Sequence, residues 1–163
     1  MSGGKIQRLE DLEIRLGRDA ALRAGLVLAN GLFDLLHVGH VRYLTGAKRA
    51  GARLLVAVNS DASARRLKGL GRPYVPLEER MELVAALECV DWVTWFEGDS
   101  VEAVLRSLRP EIHAKGTDYT VETVPERDVA RELGIRTIIV GDPKGHATSD
   151  LARRIRGAGG EPA

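Results

Sequence analysis

The sequence predicts an α/β fold in which helices cover both faces of one parallel sheet, and three observations predict it. Short apolar runs alternate with longer amphipathic stretches along the chain. Each run is apolar nearly throughout, as strands buried on both faces must be. Glycine and proline fall where a helix has to stop before the next strand: Gly51, Gly134 and Pro110. The strands are Leu26–Asn30, Leu54–Asn59, Trp92–Phe96, Ile112–Lys115 and Thr137–Val140. Helical spacing places helices near Ile6–Leu16, Val38–Ala50, Leu77–Cys89, Ser100–Leu108, Glu126–Leu133 and Ser149–Arg156. Joined by right-handed crossovers, these elements form a doubly wound, Rossmann-like, three-layer α/β/α sheet of about five parallel strands. Such sheets bind ligands at the carboxyl ends of their strands, where strand order reverses.

Composition narrows the function. The chain has 163 residues, 44% of them hydrophobic, enough to build one core without staples, so residues 1–163 are expected as a single domain with 157–163 a loose tail. Twenty-four Lys+Arg against 23 Asp+Glu give a net charge of +1, which supplies no general field for nucleic acid or an anionic membrane. Aromatic residues, at 4%, are too few for a base-stacking platform. No run approaches the roughly 18 apolar residues of a membrane span and no leader pattern opens the chain, so the cytoplasm is the expected compartment. Cys89 is the single cysteine; it falls in an apolar helix and reads as a core residue, and His113 and His146 complete no zinc spacing with it.

An anion must therefore be caught locally, and one segment is built for it. The first strand runs directly into Asn30-Gly31-Leu32-Phe33-Asp34-Leu35-Leu36-His37-Val38-Gly39-His40, which becomes helix. A glycine-containing strand-to-helix turn offers backbone N–H groups and the positive end of a helix dipole. His37 and His40, at i and i+3, share one side of the first turn; Gly39 leaves room between them, and imidazole N–H groups donate to phosphate oxygens. That geometry suits a triphosphate.

This stretch resembles the HxGH-type nucleotidylyltransferases, which include the cytidylyltransferases and the heptose-phosphate adenylyltransferases. Asn59-Ser60-Asp61, Lys68-Gly69, Arg72-Pro73, Pro76-Leu77-Glu78-Glu79-Arg80, Ala86-Leu87-Glu88-Cys89-Val90-Asp91 and Lys115-Gly116-Thr117-Asp118-Tyr119 are similar to the branch that adenylylates D-glycero-D-manno-heptose 1-phosphate. The resemblance implies that His37 and His40 hold the triphosphate and stabilise the leaving pyrophosphate, with Lys48 leaning back toward it. It implies nucleotide-binding roles for Asn30, Gly31, Phe33, Asp34, Gly39, Arg80, Lys115, Gly116 and Asp118. The family's carboxyl-terminal Ser-Thr-Thr segment is matched here by His146-Ala147-Thr148-Ser149, in which Thr148 and Ser149 keep hydroxyls that can cap a helix and meet an anion.

The implied reaction moves AMP from ATP to a sugar 1-phosphate, giving an ADP-sugar and pyrophosphate. Mg²⁺ is expected on the phosphates, and no protein-held metal is. A homodimer is expected by analogy and from apolar residues about the third strand, and a separate kinase is expected to supply the sugar phosphate. Two alternatives stand beside this one: a cytidylyltransferase for a polyol or alcohol phosphate such as glycerol 3-phosphate, and a nucleotide-binding regulatory module without turnover.

Overall fold

A computed structural model describes residues 4–143 and 148–158. Its elements in chain order are α1 (Leu9–Arg18), α2 (Ala20–Arg23), β1 (Leu26–Gly31), α3 (Val38–Arg49), β2 (Arg53–Asn59), α4 (Asp61–Lys68), α5 (Leu77–Ala85), β3 (Trp92–Phe96), α6 (Glu102–Leu108), β4 (Ile112–Gly116), α7 (Arg127–Glu132), β5 (Arg136–Val140) and α8 (Thr148–Ala158). The five strands form one parallel sheet in the order β3-β2-β1-β4-β5. The chain works outward from β1 to β3, then returns to β1's other side for β4 and β5. The order therefore reverses between β1 and β4.

Alternation along each strand feeds two cores. Leu26 and Leu28 of β1 and Leu55 and Ala57 of β2 pack with Leu12 and Leu16 of α1, Leu105 of α6 and Val129 of α7. Val27, Ala29, Leu54, Val56 and Val58 face the other way, against Leu44 of α3 and Met81 and Val84 of α5. This is the three-layer arrangement the apolar runs imply. Gly51, between α3 and β2, is required by close approach, because a Cβ there would sit 2.4 Å from the Gly25 carbonyl oxygen.

Several elements depart from expectation, among them the short α2, which the helical spacing did not mark. The first helix starts at Leu9 because residues 5–7 hydrogen-bond to β3: Val93 N donates to Lys5 O, and Gln7 N to Val93 O, both at 2.9 Å. That added bridge covers the edge of β3, and Arg15 lies over the buried Trp92 ring. The apolar residues that suggested a dimer contact there are thus covered from within the chain. α5 ends at Ala85, four residues short of Cys89, where a tight turn gives Leu87 N to Val84 O. α4 replaces an expected loop: Ser60 caps it by accepting from Ser63 N at 3.1 Å. α8 includes Gly157 and Ala158 of the expected tail, whose remainder, residues 159–163, lies outside the described residues. Among the described residues no helix is long and apolar enough to cross a membrane.

Candidate active site

At the reversal point, above the carboxyl ends of β1 and β4, lies a cleft of about 880 Å³. Asn30, Gly31, Phe33, Asp34, His37, Gly39 and His40 line it from the β1–α3 side, Lys115 and Gly116 from β4, Asp118 from the turn after β4, and Ser149 from α8. Most of the residues singled out in the sequence therefore converge, though they come from three separate stretches of chain.

The two histidines are set by the start of α3. His37 is the N-cap, and its Nδ1 accepts from Gly39 N at 3.1 Å; His37 N in turn donates to His40 Nδ1 at 3.3 Å, a reciprocal capping box. The rings stack with centroids 3.9 Å apart. Because each Nδ1 accepts a backbone N–H, each neutral ring carries its proton on Nε2. The Gly39 amide is occupied by this cap, so that backbone N–H is not open to an anion. Burial, and secondarily His37, push His40 down to about 4, so it is neutral at physiological pH.

Phe33 and Asp34 shape this turn. Phe33 takes a left-handed backbone conformation (φ 51°), strained for a side chain with a Cβ. Its buried ring holds it there, 5.2 Å from the His40 ring. A Cβ at Gly31 would come within 3.2 Å of the Phe33 ring, so glycine there preserves the fit. Asp34, 1% exposed, accepts from Arg72 Nε at 2.6 Å, Tyr74 N at 2.7 Å and Val75 N at 3.0 Å. It clasps the segment before α5 against the cleft and holds Arg72 there.

Two expected site residues do not line the cleft. Lys48 sits at the far end of α3, where its ammonium meets Asp91 Oδ2 at 2.6 Å and Ala52 O at 2.7 Å. Asp91 also accepts from Leu54 N, which anchors the pair at the amino-terminal edge of the sheet, away from the reversal point. Arg80 is fully buried and donates from Nε to Val75 O, from Nη1 to Leu32 O and Asn59 O, and from Nη2 to Asp61 Oδ1 at 2.7 Å. Four of its five donors fasten the turns after β1 and β2 to each other and to the segment before α5. It therefore supports the cleft from behind, with its guanidinium committed to protein partners and off the cleft lining.

On the β4 side, Asn30 Oδ1 lies 3.0 Å from Nε2 of the buried His113. Register brings them together, since Leu28 pairs with His113 across the strands. Burial, then Lys115, push His113 down to about 4. His40 and His113 both titrate below the ordinary 6.5, so the folded protein binds fewer protons than the unfolded chain between those values. Their stabilisation is complete above the unfolded value and is lost as pH falls through about 4. Each shift is worth up to roughly 3 kcal/mol. Urea unfolding followed from neutral pH down to about pH 4 should show falling stability, with a smaller slope in His113→Gln; a flat profile contradicts the burial of these rings as neutral groups.

Several cleft residues escaped sequence reasoning. Tyr43, which donates to Ala114 O at 2.7 Å, stands three residues beyond His40 on the same helical side, a signal that was readable. Lys68, which the sequence already marked beside Gly69 and Arg72 as part of a basic segment, is the last residue of α4; it lines the cleft, where Lys48 does not, and has no hydrogen bond or ion pair among the described residues. Thr117, Glu126 and Asp142 are brought in by topology alone. The rim carboxylates are largely compensated: Asp34 by Arg72, Asp99 by Arg66, Asp142 by Arg42 and Glu126 by Lys115. Thr148 is the first residue of α8, whereas His146 and Ala147 lie outside the described residues.

Two histidines at a helix start, placed where a parallel sheet reverses its strand order, together with the family match, make this a nucleotidyltransferase. The chain belongs to the cytidylyltransferase-like family, whose model matches residues 28–153 and so contains every residue that lines the cleft. It is 46% identical over 155 residues to the bifunctional protein HldE of Hahella chejuensis, across 95% of this chain and 32% of that protein. To the bifunctional protein HldE of Geobacter sulfurreducens it is 41% identical over 157 residues, across 96% and 32%. The chain thus spans about a third of the length of these relatives. Among solved structures, the lipopolysaccharide core biosynthesis protein of Thermoplasma volcanium matches with a TM-score of 0.62 and 26% identity, over 74% of this chain and 99% of that one. Pantothenate synthetase of Thermus thermophilus, at 18% identity and a TM-score of 0.59 over 93% and 67%, shares the fold.

Proposed function

We propose that the chain transfers AMP from ATP to a sugar 1-phosphate, D-glycero-β-D-manno-heptose 1-phosphate, releasing pyrophosphate and giving ADP-heptose. The observation that carries this reading is the match along 95% of the chain to a bifunctional HldE protein, joined to the motif resemblance from Asn59 to Tyr119. The cleft supplies what the chemistry needs. An acceptor phosphate monoester has a second pKa of about 6, so it attacks the α-phosphorus already ionised and needs no general base. The difficulty is bringing two polyanions into line, which is a matter of positioning and charge stabilisation. His37 and His40 donate Nε2–H groups to the triphosphate, Lys68 and Lys115 bring positive charge, and Ser149 faces the same space.

Mg²⁺ is proposed as a companion of the nucleotide. Among the described residues no three His, Cys, Asp or Glu come together as a cage, and Asp34, Asp99, Glu126 and Asp142 on the rim are engaged by arginine or lysine, so the donor set fits an ion carried on the phosphates. Bound there, it neutralises phosphate charge. A dimer, and a separate kinase that supplies the acceptor, are further proposals by analogy.

Pyrophosphate release with ATP and with CTP, against a panel of sugar 1-phosphates and polyol phosphates, tests the assignment. Fastest release is expected with ATP and the heptose 1-phosphate. CTP-dependent release with glycerol 3-phosphate would replace this reading by the cytidylyl one, and tight ATP binding with no release under any acceptor would replace it by a binding module.

A further inference from the structure

The β4 side of the cleft holds a buried lysine–carboxylate pair. Lys115 Nζ lies 3.5 Å from Glu126 Oε2, with the side chains 8% and 3% exposed. At that separation the contact is electrostatic, since a hydrogen bond would be shorter. Glu126 Oε1 accepts from Val101 N beside α6 at 3.4 Å, while Oε2 is buried without any hydrogen-bond partner. A buried carboxylate oxygen in that state is costly unless a cation compensates it. On its other side the Lys115 ammonium lies 4.7 Å from the centroid of the Tyr119 ring, an attraction that uses no N–H donor. The ammonium is thus fixed by two contacts and makes no hydrogen bond among the described residues, while both Lys115 and Glu126 line the cleft.

We propose that Glu126 is a positioning residue of the nucleotide site: it keeps the Lys115 side chain charged and aimed into the cleft, so that its N–H donors meet a phosphate of the incoming triphosphate. The inference rests on the reading of the cleft as a nucleoside triphosphate site, and on neither the base nor the acceptor. The groups around Lys115 are Glu126 just before α7, Tyr119 and its neighbour Asp118 after β4, His113 two residues back on β4, and Tyr43 of α3 near Glu126 and Tyr119. His113 is neutral at physiological pH, and the Tyr43 phenol is pushed up by burial, so neither carries charge there. Burial lowers the Lys115 ammonium and Glu126 opposes that. With the Glu126 charge removed, burial acts with much less opposition and Lys115 loses its proton at lower pH.

The test is ATP binding to Glu126→Gln and to the parent chain, titrated between about pH 6 and about pH 10, with the melting temperature as the control for folding. The alkaline loss of affinity should move down by about one pH unit, which on that limb is about tenfold weaker binding. Adding Lys115→Arg, whose guanidinium stays charged, should restore binding at high pH. A folded Glu126→Gln with the parent's affinity and pH profile overturns the proposal. If that variant does not fold, trace acetylation of the parent chain decides: ATP should slow modification of Lys115 by about tenfold or more, and an unchanged rate overturns the proposal. A parent chain that binds neither ATP nor CTP overturns the reading of the cleft itself, whereas a parent that binds normally beside an unaltered variant overturns only the role of Glu126.

Discussion

His40→Ala should turn over at least about a hundredfold more slowly than the parent chain, the usual loss when a preorganised donor to developing phosphate charge is removed. His40 Nδ1 is engaged by the His37 backbone, which leaves Nε2–H for the substrate. His37 calls for a different substitution, because its ring also caps α3 through Gly39 N. Alanine there would remove a cap worth about 1 kcal/mol together with the donor. His37→Asn keeps a side-chain acceptor for the cap and removes the imidazole. If the ring acts on substrate, His37→Asn should melt close to the parent yet lose about a hundredfold in turnover. Parent-like rates in both His37→Asn and His40→Ala would confine the pair to helix capping. Lys48→Ala is the internal control, since it alters the far end of the same helix, where the ammonium serves Asp91.

Arg80→Ala should be among the most destabilising single changes in the molecule, at about 3–5 kcal/mol. Truncation leaves the Asp61 carboxylate without its partner and strands the carbonyls of Leu32, Asn59 and Val75 around a cavity. These groups belong to the turns that carry Phe33 and cap α4, so the loss should also open the cleft. Arg80→Lys keeps the charge but not the planar fork, and should recover only part of the loss. Urea denaturation measures both, and a change below about 1 kcal/mol in Arg80→Ala would show that the clasp is not needed. An expected nucleotide contact would then have become a structural residue without a structural effect, and its assignment would reopen.

The contrast between the histidines and these two cations shows what the sequence makes legible. His37 and His40 are specified locally: a strand end, a glycine turn and an i,i+3 spacing fix their place without any distant information. Lys48 and Arg80 lie on helices whose charged positions have no direction of their own. Their partners, Asp91 and Asp61, lie 43 and 19 residues away and are chosen by packing. α4 was hidden for another reason. Asp-Ala-Ser-Ala-Arg-Arg-Leu-Lys has almost no apolar stripe, and its start was marked only by the Ser60 cap and by Asp61 in the first turn. The five strands were readable because they are apolar on both faces, but the pairing of Asn30 with His113 and of Lys115 with Glu126 depends on register and crossover, which single-strand patterns do not contain.

The most direct measurement is a crystal structure with a non-hydrolysable ATP analogue. The phosphates should lie within hydrogen-bond distance of Nε2 of His37 and His40, between the carboxyl ends of β1 and β4. An analogue bound elsewhere, with the two rings still stacked and untouched by phosphate, would contradict the assignment of the cleft.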